Sequence, residues 1–334
     1  MQRIAIDAMG GDYAPQTIID GALEAARHLP VGLTLVGARA AIERELARHR
    51  DSGALDIQIV EAADVVGMEE SPAVALRRKP QSSIRLTAAA VASGQAAAMF
   101  SAGNTGATVM AAHGAFGKIA GVDRPALATT IPTREHAAVL LDVGANAECR
   151  PQHLAQFAAM GTVYARLALG LDRPRVALLS IGEEETKGND LTREAHRLLK
   201  ASALNFTGNL EARDVYNGQA DVIVCDGFTG NIVLKVSEGL VEMVEDLLRA
   251  EIRANLGGVG SFFSRKAFRQ FRKQVDYSEY GGAPLVGVAG VAIVGHGRSS
   301  AKAVHNAIAM ASRFAQCGLV QRIEQEIAST GVSD

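Results

Sequence analysis

Short runs of aliphatic and β-branched residues alternate along this chain with longer stretches whose apolar positions recur three and four residues apart. The first pattern suits buried strands, the second helices with one apolar face. Strands are predicted at residues 3–8, 33–36, 57–60, 96–100, 126–131, 138–142, 176–181, 205–211 and 222–224. Helices are predicted at about residues 15–28, 40–50, 83–93, 107–118, 151–169, 191–200 and 232–253, then from the 296–300 loop to about 313, and at 319–328. Pro72 and Pro80 mark less regular connections, and residues 284–295 form a Gly-rich apolar run. Regular alternation of strand and helix predicts a three-layer α/β/α fold with a largely parallel sheet.

Three polar, small-residue loops interrupt this alternation between a strand and a helix: residues 101–106, 182–189 and 226–231. The last is the most telling. The Val222-Ile223-Val224 strand runs into Asp226-Gly227-Phe228-Thr229-Gly230-Asn231, where the two glycines are expected to turn the backbone sharply before a long helix. Helix starts with unsatisfied N–H groups attract anions, and in open parallel sheets such loops gather at the carboxyl ends of the strands. An ordinary chain turn is the competing explanation for each loop alone.

Composition narrows the class. The chain has 334 residues, 48% hydrophobic and only 4% aromatic, so its core must be built from Ala, Val, Leu and Ile. One large α/β domain over residues 1–334 is expected. A formal charge of −2 argues against general nucleic-acid binding. Cys149, Cys225 and Cys317 are odd in number and far apart, which fits reduced thiols in the cytoplasm. The N-terminal apolar run is too short for a signal peptide, and no apolar stretch reaches membrane-spanning length.

One segment stands apart. Four phenylalanines, Phe262, Phe263, Phe268 and Phe271, interleave with Arg265, Lys266, Arg269, Arg272 and Lys273. At helical spacing Phe268 and Phe271 share one arc and the basic residues the opposite one. Such a helix, within a projecting segment over residues 240–280, suits an anionic membrane surface or an acidic protein; packing on its own core or on a second subunit is the alternative.

Taken in order, Asp7-Ala8-Met9-Gly10-Gly11-Asp12, residues 101–106, 142–146, 182–189, 226–231, 280–284 and 296–302 resemble the bacterial acyl-[acyl carrier protein]:phosphate acyltransferases of phospholipid synthesis. The resemblance covers almost the whole chain. It implies transfer of a fatty acyl chain from acyl carrier protein to inorganic phosphate, giving acyl phosphate for a membrane glycerol-3-phosphate acyltransferase. It also implies a homodimer, a fold similar to phosphotransacetylases and isocitrate-dehydrogenase-like enzymes, and, with the basic segment, a cytoplasmic protein held at the inner face of the membrane.

That chemistry needs no activated nucleophile, cofactor or metal, because phosphate attacks by itself and a thiol leaves readily. It needs positioning and donors for the tetrahedral oxyanion. Lys187 is the first candidate to neutralise phosphate, against the alternative of a solvated surface lysine. Asn104, Thr105 and the backbone of Gly103 and Gly106 are candidates to cradle phosphate or the carbonyl oxygen, and Asn231 joins them with Gly227, Thr229 and Gly230; helix capping competes at both asparagines. His296 is a candidate to protonate the leaving thiolate, beside Ser299 and Ser300 at a helix start. Asp226 either orients Lys187 or caps the next helix. Cys225, at the end of an apolar strand, is expected to be buried and inert. Asp7, Asp12, Asp142 and Glu183 to Glu185 are assigned to turns and caps rather than to a metal. The rival functions are a phosphotransacetylase acting on a coenzyme A ester, a nucleotide-dependent oxidoreductase and a non-enzymic membrane-surface scaffold; the oxidoreductase is weakened by the absence of Gly-x-Gly-x-x-Gly after the first strand.

Overall fold

The protein's structure, a computed structural model, describes residues 1–255 and 281–330. The Phe-rich basic positions, Phe262, Phe263, Arg265, Lys266, Phe268, Arg269, Phe271, Arg272 and Lys273, lie outside the described residues.

The strands are β1 (Gln2–Asp7), β2 (Val31–Gly37), β3 (Ile57–Glu61), β4 (Ala98–Ser101), β5 (Ala126–Pro132), β6 (Ala137–Leu141), β7 (Val176–Ser180), β8 (Phe206–Glu211), β9 (Val222–Val224), β10 (Ala283–Val286) and β11 (Val291–Val294). The helices are α1 (Gln16–His28), α2 (Arg39–Leu46), α3 (Pro72–Arg78), α4 (Ser83–Ala92), α5 (Thr105–Phe116), α6 (Pro151–Leu169), α7 (Asp190–Ala201), α8 (Gly227–Asn255), α9 (Ala301–Gln316) and α10 (Leu319–Thr330). Among the described residues the strands form one eleven-stranded sheet in the order β3-β2-β1-β4-β11-β10-β5-β6-β9-β7-β8.

Helices cover both faces, so the strands are apolar on both sides, as a mostly parallel sheet requires. Val222 and Val224 of β9 face the layer holding α1, α6, α9 and α10, while Ile223 and Cys225 face the layer holding α4, α5 and α8. All seven residues of β2 are buried. The predicted three-layer α/β/α architecture with a largely parallel sheet is borne out.

The direction of the strands was not legible. β3, β2, β1, β4 and β11 run parallel to one another, and so do β6, β9, β7 and β8, but β10 and β5 pair antiparallel with both neighbours. The two blocks therefore run in opposite senses. Their carboxyl ends lie at opposite edges, so the 101–106 loop follows a strand of one block and the 182–189 and 226–231 loops follow strands of the other, where one set of parallel strands was expected. α8 joins the two edges, because it starts beyond β9 and runs back across the sheet.

Three local differences have physical causes. α8 begins at Gly227, inside the predicted loop, and neither Gly227 nor Gly230 adopts a positive φ. α3 forms where Pro72, set at its first position, suggested an irregular connection. The 284–295 run splits into the antiparallel pair β10 and β11, separated at Gly287, which has φ +91°.

Candidate active site

Asp142, directly after β6, organises the first edge. Its carboxylate is fully buried; Oδ1 accepts the Leu127 and Ala145 N–H groups at 2.9 and 3.1 Å, and Oδ2 accepts the N–H and side-chain amide of Asn146 at 2.7 and 2.9 Å. Burial raises its pKa above the ordinary carboxylate range, with these donors pulling the other way. The result is a fixed 142–146 turn against which α8 begins.

Contact with that turn explains the two glycines. The Gly227 N–H donates to the Asn146 carbonyl at 2.8 Å, and a Cβ at Gly227 would lie 2.6 Å from that oxygen and 2.6 Å from Asp142 Oδ2. A Cβ at Gly230 would overlap the Asp142 carbonyl. Asp226 caps the helix, accepting the Thr229 N–H at 2.9 Å and its hydroxyl at 2.7 Å. The Gly230 N–H is also taken, by the Asp226 carbonyl. The expected row of free N–H groups at this helix start is therefore largely consumed, and a carboxylate sits beside it. Asp226, Gly227, Thr229 and Gly230 build the helix start rather than an anion cradle.

Asn231 is what this arrangement presents. It is exposed on the first turn of α8, with its Cβ 3.7 Å from where a Cβ at Gly144 would sit, and Gly144 has φ +128°. Among the described residues no hydrogen bond engages its amide, and the cap is Asp226, so the capping explanation for Asn231 fails. Lys187 belongs to the same edge, since β7 and β9 are parallel neighbours. Its side-chain stem folds over Gly182, where a Cβ would meet Lys187 Cγ at 2.8 Å. Among the described residues no ion pair or hydrogen bond holds its ammonium. Gly188, at φ +101°, turns the chain into the Asn189 cap of α7, whose Oδ1 accepts the Thr192 N–H at 2.9 Å.

The second edge is organised by Asp7. It is buried, accepts the Ser101 hydroxyl at 2.8 Å and the Met9 N–H at 3.2 Å, and burial raises its pKa. Gly10 and Gly103 pack tightly there; a Cβ on Gly10 would lie 2.7 Å from Gly103 N. Asn104 is spent on structure. Its Oδ1 caps α5 through the Ala107 N–H at 3.0 Å, while Nδ2 reaches the carbonyls of Gly67, Met68 and Glu70 at 3.3, 2.9 and 3.0 Å. Gly106 lies under Pro72, leaving Thr105 as the exposed residue of this loop.

His296 follows β11 on this same edge. Its N–H donates to Ser299 Oγ at 3.1 Å, and its Nδ1 accepts the Arg298 N–H at 3.2 Å. Ser300 caps α9 through the Ala303 N–H at 3.2 Å, so the two serines serve the loop and helix start. Burial, followed by the charge of Lys235, lowers the His296 pKa, which disfavours the charged ring. Lys235, which sequence reasoning did not single out, comes from α8 and places Nζ 3.4 Å from His296 Nε2. Its signal was available: it lies four residues after Asn231, on the same face of the helix.

Cys225 is buried, its thiol 3.6 Å from the Asp142 carbonyl, and burial pushes its pKa well above the ordinary value. Cys149 is pushed up to about 12 by burial and by the Asp142 charge. Neither is poised as a nucleophile. Among the described residues no group of three or more His, Cys, Asp and Glu side chains is placed to hold a metal ion.

The comparisons with known proteins agree with the fold and the ordered loops. The model of a family described as fatty acid synthesis protein matches residues 2–322. This chain belongs to that family. A protein of Geotalea uraniireducens named phosphate acyltransferase is 50% identical over 326 residues, covering 97% of this chain and 94% of its own. One of the same name from Acidobacterium capsulatum is 49% identical, with 98% and 97% covered. The resemblance drawn from the ordered loops is thereby borne out. Among solved structures, a phosphotransacetylase from Streptococcus pyogenes superposes with a TM-score of 0.61 at 17% identity, covering 98% of this chain and 94% of that one. A branched-chain phosphotransacylase from Enterococcus faecalis gives 0.58 at 16% identity, with 94% and 99% covered. These two likenesses establish the fold, in line with the expected phosphotransacetylase-like architecture.

Proposed function

We propose that this protein transfers a fatty acyl group from the thioester of acyl carrier protein to inorganic phosphate, giving an acyl phosphate for phospholipid synthesis. A phosphate oxygen attacks the thioester carbonyl carbon, the C–O bond forms, and the C–S bond breaks as the thiolate leaves and takes up a proton. No covalent enzyme intermediate is needed, in keeping with two buried or half-buried cysteines whose thiols are pushed up by burial. The observation that carries the reading is Asn231: an exposed amide, engaged by no other described side chain, fixed on the first turn of α8 at the edge that also bears Lys187. Asn231 suits the developing oxyanion, and Lys187 suits the charge of phosphate. Gly103, Thr105 and Gly106 bound the opposite edge, where Thr105 is exposed. Asn104 acts by holding that loop.

The protein acts as a cytoplasmic homodimer at the inner membrane face, handing its product to a membrane glycerol-3-phosphate acyltransferase. Support comes from α8, where Phe228, Ile232, Val236, Leu240, Met243 and Leu247 are each 46–64% exposed at helical spacing. The Phe-rich segment follows α8 in sequence, and among the described residues no helix is long and apolar enough to cross a membrane. Flotation with anionic liposomes checks this: Phe268→Glu/Phe271→Glu is expected to abolish binding, and unaltered flotation rules the membrane contact out.

Donor choice separates the two enzymic readings. Thiol release from long-chain acyl carrier protein should depend on phosphate and exceed release from the matching coenzyme A ester. A preference for the coenzyme A ester would instead support the phosphotransacetylase reading, which the shared fold favours. Phosphate-independent behaviour with both donors would leave neither standing.

A further inference from the structure

Three cations that the proposed reaction does not use converge on the first edge of the sheet. Lys118 follows α5, Arg124 precedes β5 and Arg150 opens α6. Asp123 draws two of them together: its carbonyl accepts from Lys118 Nζ at 3.0 Å, and its carboxylate lies 3.9 Å from Arg150 Nη2. Arg124, next in the chain, is exposed and among the described residues makes no ion pair or side-chain hydrogen bond. Glu148 is exposed two residues before Arg150 and pairs with none of the three. The cations act together on one neighbour. Burial lowers the pKa of His153, and the charges of Arg150, Arg124 and Lys118 lower it further against the opposing charge of Asp123.

This cluster borders the reacting groups. Pro125, beside Arg124, gives its carbonyl to Asn146 Nδ2 at 2.7 Å, and the Asn146 carbonyl accepts the Gly227 N–H that starts α8. Asn231 stands one turn along that helix, and Lys187 belongs to the same edge. Lys187 answers for the charge of phosphate, and the acyl chain carries none. Surplus positive charge outside the 142–146 turn is therefore left for the body of the donor. We propose that Lys118, Arg124 and Arg150 form the docking surface for an acidic face of the carrier protein that presents the thioester to Asn231. Paired against carboxylates of the partner, three cations that one aspartate leaves largely uncompensated steer encounter and fix orientation, while the chemistry stays with Lys187 and Asn231. This surface rests on the phosphate acyltransferase reading and deepens it to recognition of the donor.

The test pairs binding with kinetics on the full-length protein. Fluorescence anisotropy of labelled long-chain acyl carrier protein is measured for wild type, Arg124→Glu, Arg124→Lys and Arg150→Gln, after circular dichroism confirms native folding. Arg124→Glu has no hydrogen bond to lose, and it is expected to weaken carrier binding about tenfold and to raise the KM for acyl carrier protein by the same factor. Arg124→Lys should stay within about twofold of wild type, and Arg150→Gln should weaken binding less than the charge reversal. Wild-type binding should fall with added salt, more steeply than that of Arg124→Glu. The KM for phosphate, and turnover of a carrier-free acyl pantetheine thioester, should stay within about twofold in every variant. Unchanged carrier binding in Arg124→Glu, or an equal loss with the carrier-free thioester, overturns the surface. So does loss of flotation with anionic liposomes in Arg124→Glu at unchanged carrier binding, which would assign the cluster to the membrane. Failure of the parent reading looks different: wild type would release no thiol with phosphate from either donor, whatever the anisotropy shows.

Discussion

Gly227→Ala should destabilise the protein, although alanine is ordinarily the better helix residue. The added methyl would lie 2.6 Å from the Asn146 carbonyl oxygen, 2.6 Å from Asp142 Oδ2 and 2.9 Å from Asn146 N. Comfortable carbon contacts begin near ~3.5 Å, so the helix start must retreat by roughly 0.5–1 Å. Overpacking of this kind costs about 1–3 kcal/mol. The displaced group is also a buried carboxylate, and weakening one hydrogen bond to it adds on the order of 1.5 kcal/mol. Against this, helix propensity returns at most about 1 kcal/mol. A net loss of about 2–3 kcal/mol lowers Tm by roughly 3–4 °C in a chain of this size. Gly239 supplies the control, being exposed on the same helix with nothing within 4 Å of a Cβ; Gly239→Ala should gain about 0.5–1 kcal/mol. Thermal unfolding followed by circular dichroism reads both, and thiol release should fall only in Gly227→Ala because Asn231 moves with the helix. A Gly227→Ala protein as stable as wild type would refute the contact explanation for this glycine.

Other variants probe the remaining structure. Asn231→Ala should lower thiol release about a hundredfold with Tm nearly unchanged, whereas Asn104→Ala should cost about 2–3 kcal/mol by removing a helix cap and stranding three carbonyls; equal effects on stability would erase the distinction between the two asparagines. Acid should selectively weaken the Arg175–Asp221–His136 cluster. There burial pushes Asp221 up, but the hydrogen bonds from Arg175 and His136 outweigh it and hold the carboxyl at about 2, below its ordinary 3.8. A depressed pKa stabilises the fold above about pH 4, by about 2 kcal/mol, and that contribution is lost as pH falls toward 2. The urea midpoint advantage of wild type over Asp221→Asn should therefore shrink between pH 6 and pH 3, and a constant advantage would contradict the linkage.

What could be foreseen from sequence was local. The period-two and period-3.6 patterns located most strands and helices, down to the bounds of α6 and β9, because those patterns report burial within one element. Strand direction depends on which distant strands pair, so the reversal at β10 and β5 left no mark in any single segment. The start of α8 was missed because glycine reads as a turn residue, while Gly227 and Gly230 are required by contact with residues more than eighty positions earlier. The two asparagines follow similar loops. Only the return of the 67–70 segment to Asn104, and the Asp226 cap that frees Asn231, tells them apart.

The central claim is formation of an acyl phosphate, with Lys187 serving its acceptor. Hydroxylamine trapping after incubating the protein with long-chain acyl carrier protein and phosphate tests it most directly, with wild type and Lys187→Ala side by side. Acyl hydroxamate that requires phosphate, appears with wild type and is reduced at least about a hundredfold in Lys187→Ala is the expected result. No hydroxamate above the phosphate-free control, or undiminished hydroxamate in the variant, would contradict the account.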